Sequence, residues 1–389
     1  MSGRERVSLP QVSDLMAPGQ PLPFKVLDGQ GRLLLAAGQV IANARQLQAL
    51  LERGACVEYD DAQAVRAARA AAAAGGAGSA APSGRHGTLF DRWEQQVWGL
   101  DALLRVIGRD AGQRAAVEAF GVEHIALVDR EPDVALFLCI RQDDRRFALY
   151  GLTHALHTAT VALLSARVLG WPPARVQSLV LAALTMNASI VELQARMAEQ
   201  ADPPTKKQID EIRAHPQRSA ALLRASGVED AEWLGAVEDH HERSGGGGHP
   251  RGLQEVGETP RLLRAVDVFM AKISPRALRA PLLPQAAARQ LFQEDVGGPV
   301  ASALIKAVGL YPPGDFVRLR NGDAAIVVRR ATAVAAVQAV GVQDAKGKPL
   351  GSAPKRDTGL PEFAISGPLP ERAGLPRVLP EQLYGLLEP

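Results

Sequence analysis

Histidine side chains that could bind a metal are concentrated in the middle of the sequence. Six of the eight histidines lie between His154 and His249, and two of these, His240 and His241, are adjacent and are followed by Glu242 and a glycine-rich turn. Imidazole is the commonest metal ligand in proteins, and two neighbouring imidazoles can serve one metal or two. The cluster predicts a metal site, with Glu242 as a candidate to orient an imidazole. Histidines placed favourably at a helix C-terminus are the alternative.

A single carboxylate lies in an apolar helical stretch downstream of this cluster. Asp267 is placed between Val266 and Val268. A buried carboxylate is costly unless it is paired or bound to a metal. Arg261 and Arg264 are candidate ion-pair partners for it, so the sequence leaves open both a metal ligand and an ion pair.

Two further features could bind phosphate. The first is the run Gly245–Gly248, in which the backbone N–H groups of Gly246 and Gly248 are candidate phosphate contacts. A flexible loop is the alternative. The second is the pair Arg276 and Arg279, three residues apart, because guanidinium groups form bidentate contacts with phosphate. Solvated surface arginines are the alternative there.

The order of these motifs resembles that of the HD-GYP family. The string that carries the resemblance is His-His-Glu-Arg-x-x-Gly-x-Gly-x-Pro-x-Gly-Leu, residues 240–253. The resemblance extends over roughly residues 150–330, and several motifs in one order make it specific. The other similar segments are the helix that begins near His157, Arg213–Pro216, Ala265–Phe269, Ser274–Arg279 and Gly309–Gly314.

Members of this family are metal-dependent phosphodiesterases of cyclic di-GMP, built on the all-helical HD fold. The resemblance implies that one divalent metal, Fe or Mn, is bound by a set of four histidines and one carboxylate. A residual polar pocket without metal is the alternative. The implied ligands are His157, His215, His240, His241 and Asp267.

The His-Asp pair that gives the family its name is absent. Met186 and Asn187 stand at its place, Ile190 replaces a phosphate-facing lysine, and His249 replaces the tyrosine of Gly-Tyr-Pro. Asparagine offers one neutral carbonyl oxygen rather than a bridging carboxylate, and a thioether is a poor ligand for hard divalent metals. Without a metal pair, the attacking water is not ionised near neutral pH. The site is predicted to be degenerate, and no catalytic residue is assigned.

Three functions are compatible with this pattern. The first is a bacterial signalling protein, impaired in catalysis, that binds cyclic di-GMP or docks a signalling protein. The second is an active metal-dependent cyclic di-GMP phosphodiesterase, and the third is an interaction scaffold that binds no nucleotide. Metal content separates the second from the others, and nucleotide binding separates the first from the third. A homodimer is compatible with each.

The elements that must position these residues are mainly helices. Trp93, Val97 and Leu100 recur at the spacing of one helix face, whereas the two ends of the chain carry alternating apolar residues and turn signals. The sequence predicts a mainly α, HD-type bundle with small β-rich units at both ends. The predicted divisions are an accessory domain at 1–65, an Ala/Gly-rich linker at 66–88, a helical lead-in at 89–150, the HD-GYP-like domain at 151–315, and a β-rich appendage and tail at 316–389.

Several local predictions can be checked directly. A helix from Leu152 to Leu169 carries His154 and His157 on one face, with His154 supporting or solvated. The other predicted elements are an N-cap at Thr205, a helix break at His215-Pro216, a helix over Ala231–His241, N-terminal strands at Pro23–Leu27, Arg32–Leu35, Ala37–Ile41 and Cys56–Tyr59, a hairpin at Asn321-Gly322, and an irregular segment over 351–389 with a short helix near Pro380–Leu387.

Composition narrows the class of protein. The length of 389 residues and the 47% hydrophobic content suit two or three globular domains. A net charge of +2 argues against nucleic acid as the main partner. No apolar stretch of about 20 residues and no signal peptide are recognised, so we expect no membrane span. Two cysteines, Cys56 and Cys139, both with apolar neighbours, favour the reducing cytoplasm.

Overall fold

Helices dominate the structure, which is a computed structural model. It is 55% helical, and the mainly α fold with small terminal sheets is confirmed. The described residues are 5–16, 22–39, 41, 44–74, 88–142, 147–295, 297–351, 353–370, 374–376, 378 and 380–385.

The N-terminal unit is a small antiparallel sheet covered by helices. Its four strands lie side by side in the order β1 (Arg6–Ser8), β4 (Cys56–Glu58), β2 (Val26–Leu27) and β3 (Leu33–Leu35). The expected strand at 37–41 is wrong, because Ala37 and Gly38 form a turn in which Gly38 has a φ of +88° and donates its N–H to Leu22 O. The elements are β1 Arg6–Ser8, a 3₁₀ helix Leu9–Leu15, β2 Val26–Leu27, β3 Leu33–Leu35, α1 Ala44–Glu52, β4 Cys56–Glu58 and α2 Tyr59–Ala74.

Helix α2 extends into the segment predicted as a linker. It continues to Ala74, so residues 66–74 are helical rather than irregular. Alanine has the highest helix propensity, which accounts for the extension. Residues 75–87, which complete the predicted linker and include His86, lie outside the described part of the chain.

The central bundle is organised around one buried helix, α6. This helix packs against α7, α11 and α13, and residues all around it are buried because nearly all are apolar or small. The bundle helices are α3 Leu89–Leu104, α4 Gln113–Arg130, α5 Pro132–Ile140, α6 Tyr150–Val168, α7 Pro173–Thr185, α8 Val191–Glu199, α9 Lys206–Ala225, α10 Ala231–Asp239, α11 Glu258–Ile273, α12 Pro284–Glu294 and α13 Pro299–Val308, with 3₁₀ turns at Phe147–Leu149 and Ala188–Ile190.

Two stretches are longer and more apolar than the sequence analysis recognised. Phe147–Val168 and Pro173–Glu199 have the length and composition of membrane-crossing helices. In this fold 83% and 72% of their most apolar windows are buried within the protein, as in the core helices of a bundle. The lack of a membrane span stays a prediction.

One helix replaces the two that were expected around His215. The N-cap at Thr205 is confirmed, since its hydroxyl accepts a hydrogen bond from Gln208 N at 3.3 Å. The predicted break is wrong, because Pro216 lies inside the continuous helix α9 and is buried. The bundle around this helix tolerates the missing backbone hydrogen bond.

A five-stranded antiparallel sheet follows the bundle. Its strands lie side by side in the order β8 (Lys355–Asp357), β7 (Gln338–Gln343), β6 (Ala324–Arg329), β5 (Phe316–Leu319) and β9 (Ile365–Pro368). The hairpin at Asn321-Gly322 is confirmed, and the short helix α14 is present. The irregular assignment of 351–389 is wrong in part, because two segments there form strands by pairing with β7 and β5. The elements are β5 Phe316–Leu319, β6 Ala324–Arg329, β7 Gln338–Gln343, β8 Lys355–Asp357, β9 Ile365–Pro368 and α14 Pro380–Tyr384.

Ion pairs connect the N-terminal unit to the bundle. The side chains of Arg53 and Asp101 are 7% and 3% exposed, with a guanidinium N–carboxylate O distance of 2.7 Å. Arg32 reaches Glu199 at the end of α8 at 2.9 Å. Asp101 also pairs with Arg105 at 3.0 Å, so the contact between the two units is part of a small network of charges.

A fully buried histidine in α4 makes stability depend on pH. His124 lies against the Trp93 ring and 3.2 Å from the Thr160 hydroxyl, and burial lowers its pKa to about 4. Between pH 6.5 and 4 the unfolded chain binds this proton and the folded chain does not, so the free energy of unfolding falls as the pH falls.

We predict that His124→Gln flattens this dependence. Relative to the wild type, the slope of unfolding free energy against pH should drop by up to about 1.4 kcal/mol per pH unit in that window. Urea denaturation at several pH values between 7 and 5 measures the slope, which is independent of the variant's baseline stability. Equal slopes for the two proteins would contradict the assignment.

Candidate metal centre

His215 is oriented by the proline that follows it. Pro216 has no N–H, so the carbonyl of Ile212, four residues before it, has no intrahelical donor. The His215 ring replaces the missing donor, with its Nδ1 2.6 Å from Ile212 O. A carbonyl only accepts hydrogen bonds, so Nδ1 carries the proton and Nε2 presents a lone pair.

His240 is oriented in the same way by the end of a helix. The predicted helix over Ala231–His241 is shorter, because α10 ends at Asp239 and His240 is its C-cap. Carbonyls in a last helical turn lack intrahelical donors, and Val237 O is 2.7 Å from His240 Nδ1. The His240 Nε2 therefore also presents a lone pair.

The two lone pairs face each other. The distance between His215 Nε2 and His240 Nε2 is 3.0 Å, and both residues are buried. A hydrogen bond between them would require one protonated ring, yet burial lowers the pKa of His215 to about 4 and that of His240 well below its ordinary value. A cation held by both nitrogens removes this repulsion, so the pair fits a metal ion.

Two more imidazoles adjoin this pair. His215, His240 and His241 form a group whose ligand atoms all lie within 4.8 Å of one another. The ring of His249 stacks on that of His241 with centroids 4.7 Å apart. Burial, then the neighbouring histidines, lower the pKa of His241 to about 2, and burial lowers that of His249. Neutral imidazoles are the form that binds metals.

Asp267 is paired with a histidine rather than with an arginine. His154 Nε2 lies 2.7 Å from Asp267 Oδ1, and both residues are buried. Burial raises the pKa of Asp267, but the hydrogen bond from His154 and the surrounding histidines outweigh it, so the net pKa is lowered. The expected partners Arg261 and Arg264 form no ion pair with Asp267, and His154 has the supporting role.

His157 does not join the group of three. Its side chain is half-buried on α6, and its carbonyl oxygen lies 3.9 Å from Cys139 Sγ. Of the five ligands implied by the resemblance, the structure brings three together, His215, His240 and His241. Asp267 is instead hydrogen-bonded to His154, and His157 lies outside the group.

Comparisons with known proteins show which type of domain carries these histidines. A family model described as an HD domain matches residues 139–295. The chain is 27% identical over 210 residues to cyclic di-GMP phosphodiesterase PA4108 of Pseudomonas aeruginosa. The aligned region covers 53% of this chain and 50% of that protein. In fold, it is similar to Bd1817, a HDG"Y"P protein from Bdellovibrio bacteriovorus, with a TM-score of 0.50, 14% identity, and coverage of 78% of this chain and 99% of that one.

The chain contains an HD domain of the HD-GYP type. It spans about half the length of the curated relative that it matches.

In this HD-GYP-type domain, the residues at the place of the His-Asp pair are buried. Met186 is fully buried in the hydrophobic core, and Asn187 is 5% exposed. Asn187 precedes the 3₁₀ turn Ala188–Ile190, and its carbonyl accepts a hydrogen bond from Ile190 N at 2.9 Å. This turn is held against α9, because the Ser189 hydroxyl donates to His215 O at 3.3 Å. The segment of residues 186–190 is thus hydrogen-bonded to the backbone of His215, a residue of the histidine cluster.

Glu242 fixes the glycine-rich segment of the domain instead of orienting an imidazole. Its buried carboxylate accepts three backbone hydrogen bonds, from the N–H groups of Arg251, Gly252 and Leu253 at 2.5, 3.1 and 3.1 Å. Gly246 N–H donates to Leu253 O at 3.0 Å. The Gly246 N–H is therefore already used within the loop, and the expectation that it contacts phosphate is not supported.

Arg276 is held by an aromatic side chain that the sequence analysis missed. Its guanidinium donates to the buried Tyr150 hydroxyl and lies over the Tyr150 ring, 4.9 Å from the centroid. The same ring stacks on His154 at 5.5 Å. The i, i+4 spacing of Tyr150 and His154 on one helix was the available signal. Arg279 is exposed and donates to Ala271 O at 2.6 Å.

Two glycine substitutions test the geometry of the glycine-rich loop that follows Glu242. A Cβ at Gly248 would lie 2.3 Å from Arg243 N and 2.4 Å from Glu242 Cα, whereas a Cβ at Gly247 meets nothing within 4 Å. We predict that Gly248→Ala lowers the free energy of unfolding by about 2–4 kcal/mol and that Gly247→Ala changes it by less than about 0.5 kcal/mol. Urea denaturation of both variants measures the difference, and equal effects would contradict the loop geometry.

Proposed function

We propose that this domain binds one divalent metal ion and a cyclic dinucleotide phosphodiester, and that its hydrolytic activity is impaired. The observation that carries the proposal is the pair of facing lone pairs on His215 and His240, 3.0 Å apart. Each ring is oriented by a backbone carbonyl at its Nδ1, which is how metal-binding imidazoles are commonly held.

His215, His240 and His241 would hold the metal. Three imidazoles suit borderline metals such as Fe(II), with Mn(II) next, better than the oxygen-seeking Mg(II). When bound, the ion supplies Lewis acidity toward a phosphoryl oxygen. Asp267, kept ionised by His154, adds a negative charge beside the cluster that favours a cation there.

The impairment follows from the residues at the missing pair. A second metal needs an anionic ligand that bridges both ions, and Asn187 is neutral. Met186 is fully buried in the core, so its thioether is committed to packing. The group of histidines therefore supports one ion, and one ion activates an attacking water less than a pair does.

The ligand class is taken from the relative rather than from this chain. The matching protein of Pseudomonas aeruginosa is named as a cyclic di-GMP phosphodiesterase, and the match covers half of it. Arg276, whose guanidinium lies over the Tyr150 ring that stacks on His154, would suit a phosphate of such a ligand. A role in bacterial signalling, in the cytoplasm, is part of the proposal.

A one-metal phosphodiesterase is the second candidate. Three histidine ligands leave coordination positions open for substrate and water, as in catalytic metal sites. In that case the metal-loaded protein turns over cyclic di-GMP, and Asp267→Ala abolishes the turnover.

The test compares wild type with Asn187→Asp and Asn187→Ala, each loaded with Fe(II) under anaerobic conditions. We predict that wild type binds cyclic di-GMP in calorimetry with little hydrolysis. Asn187→Asp should raise the hydrolysis rate at least about tenfold, since it adds the missing anionic ligand. Asn187→Ala is the control for loss of the amide alone.

Rapid turnover by the wild type, without a gain in Asn187→Asp, would overturn the impairment and establish the second candidate. Metal binding with neither nucleotide binding nor turnover would remove the cyclic dinucleotide from the proposal.

A further inference from the structure

The three histidines of the proposed metal site are not held in the same way. The rings of His215 and His240 are each oriented by a backbone carbonyl oxygen, at 2.6 and 2.7 Å from Nδ1. The ring of His241 is half-buried and makes no hydrogen bond to any residue in the described part of the chain. The orientation of His241 therefore depends on the side chains packed around it.

Three imidazole rings pack around that of His241. The ring centroids of His240, His249 and His215 lie 4.2, 4.7 and 5.0 Å from its own. His215 meets the His241 ring at an interplanar angle of 79°, whereas His249 stacks on it at 30°. His215 and His240 are themselves proposed ligands, so among these three neighbours only His249 is free to serve as a support.

The backbone around His249 keeps its ring close to that of His241. The His249 N–H donates to the carbonyl oxygen of His241 at 3.4 Å, which joins the two residues directly. The preceding residue, Gly248, runs so close to Glu242 that a Cβ there would lie 2.4 Å from Glu242 Cα. The chain therefore turns back on the residues that follow α10 and brings the second ring onto the first.

The nitrogen atoms of His249 do not account for its place in the site. They make no hydrogen bond within the described part of the chain, although Nδ1 is buried. They also lie outside the group of ligand atoms that His215, His240 and His241 form within 4.8 Å of one another. The face of the His249 ring is thus what contacts the ligand set.

We propose that His249 is a positioning residue for the metal site: its ring stacks on His241 and orients that ligand, as backbone carbonyls orient His215 and His240. This inference rests on the proposed function, since it concerns the same metal. Aromatic rings attract each other in offset stacks. An imidazole that is already oriented loses less conformational freedom when it binds an ion, so the affinity for the metal rises.

The test measures the dissociation constant of Co(II), a spectroscopic substitute for Fe(II), with the full chain as wild type, His249→Ala, His249→Phe and Gly247→Ala. We predict that His249→Ala weakens Co(II) binding by about tenfold or more, as is typical when a residue that orients a metal ligand is lost. His249→Phe keeps a ring for stacking but has no nitrogen, so it should bind Co(II) within about threefold of wild type. Gly247→Ala is the control for a change in the same loop, because its Cβ meets nothing within 4 Å.

The visible spectrum of bound Co(II) separates stacking from direct coordination. If His249 orients His241 without binding the ion, the d–d bands of fully loaded wild type and His249→Phe coincide. A changed spectrum in His249→Phe, or a loss of affinity there as large as in His249→Ala, would show a nitrogen ligand and overturn the positioning role.

Two further results would also overturn the inference. One is unchanged Co(II) affinity in His249→Ala, and the other is an equal loss in His249→Ala and Gly247→Ala, which would indicate a general disturbance of the loop. Circular dichroism checks that each variant is folded. If His249→Ala does not fold, His249→Leu takes its place with the same expected loss, because leucine fills the space without a ring. A wild type that binds no Co(II) refutes the proposed function itself.

Discussion

Two imidazole nitrogens that face each other without a proton between them set the main constraint on this site. His215 Nε2 and His240 Nε2 are 3.0 Å apart, and each ring has its proton committed to a carbonyl on the other side. Burial disfavours the protonated rings that would relieve the contact. A cation bound between the two nitrogens would stabilise this arrangement, and the surrounding residues keep the two rings in place.

That support comes from local features of the backbone. A proline within α9 frees one carbonyl, and the end of α10 frees another, so each histidine has an acceptor that helix geometry leaves open. Glu242 then binds three consecutive backbone N–H groups of the loop that carries His249 back toward His241. The rigidity of the cluster therefore depends on few residues, close in sequence to the ligands themselves.

Sequence patterns predicted most of the helices and the central hairpin, because apolar spacing and the Asn-Gly turn are local signals. They did not predict β8 and β9, since these short strands exist only through pairing with distant partners. The partner of Asp267 was also missed. Arg264 is near it in sequence, but the packing of α6 against α11 brings His154 to it instead.

The resemblance identified the domain type and three residues that the structure brings together, whereas His157 lies outside that group and stays a predicted ligand. Its motif spacing does not show which of two histidines on one helix reaches a neighbouring helix. The role of Glu242 was not predictable either. A carboxylate after paired histidines suggests an imidazole partner, and only the fold shows that the loop N–H groups satisfy it first.

The metal content of protein purified without chelator shows whether the histidine cluster binds a cation. We predict about one divalent ion per chain in the wild type and a near-complete loss in His240→Gln, because that variant removes one of the two facing nitrogens. The matched variant His124→Gln, which changes a buried histidine outside the cluster, should keep the ion. A wild-type protein without metal, or unchanged metal in His240→Gln, would contradict a metal site between His215 and His240.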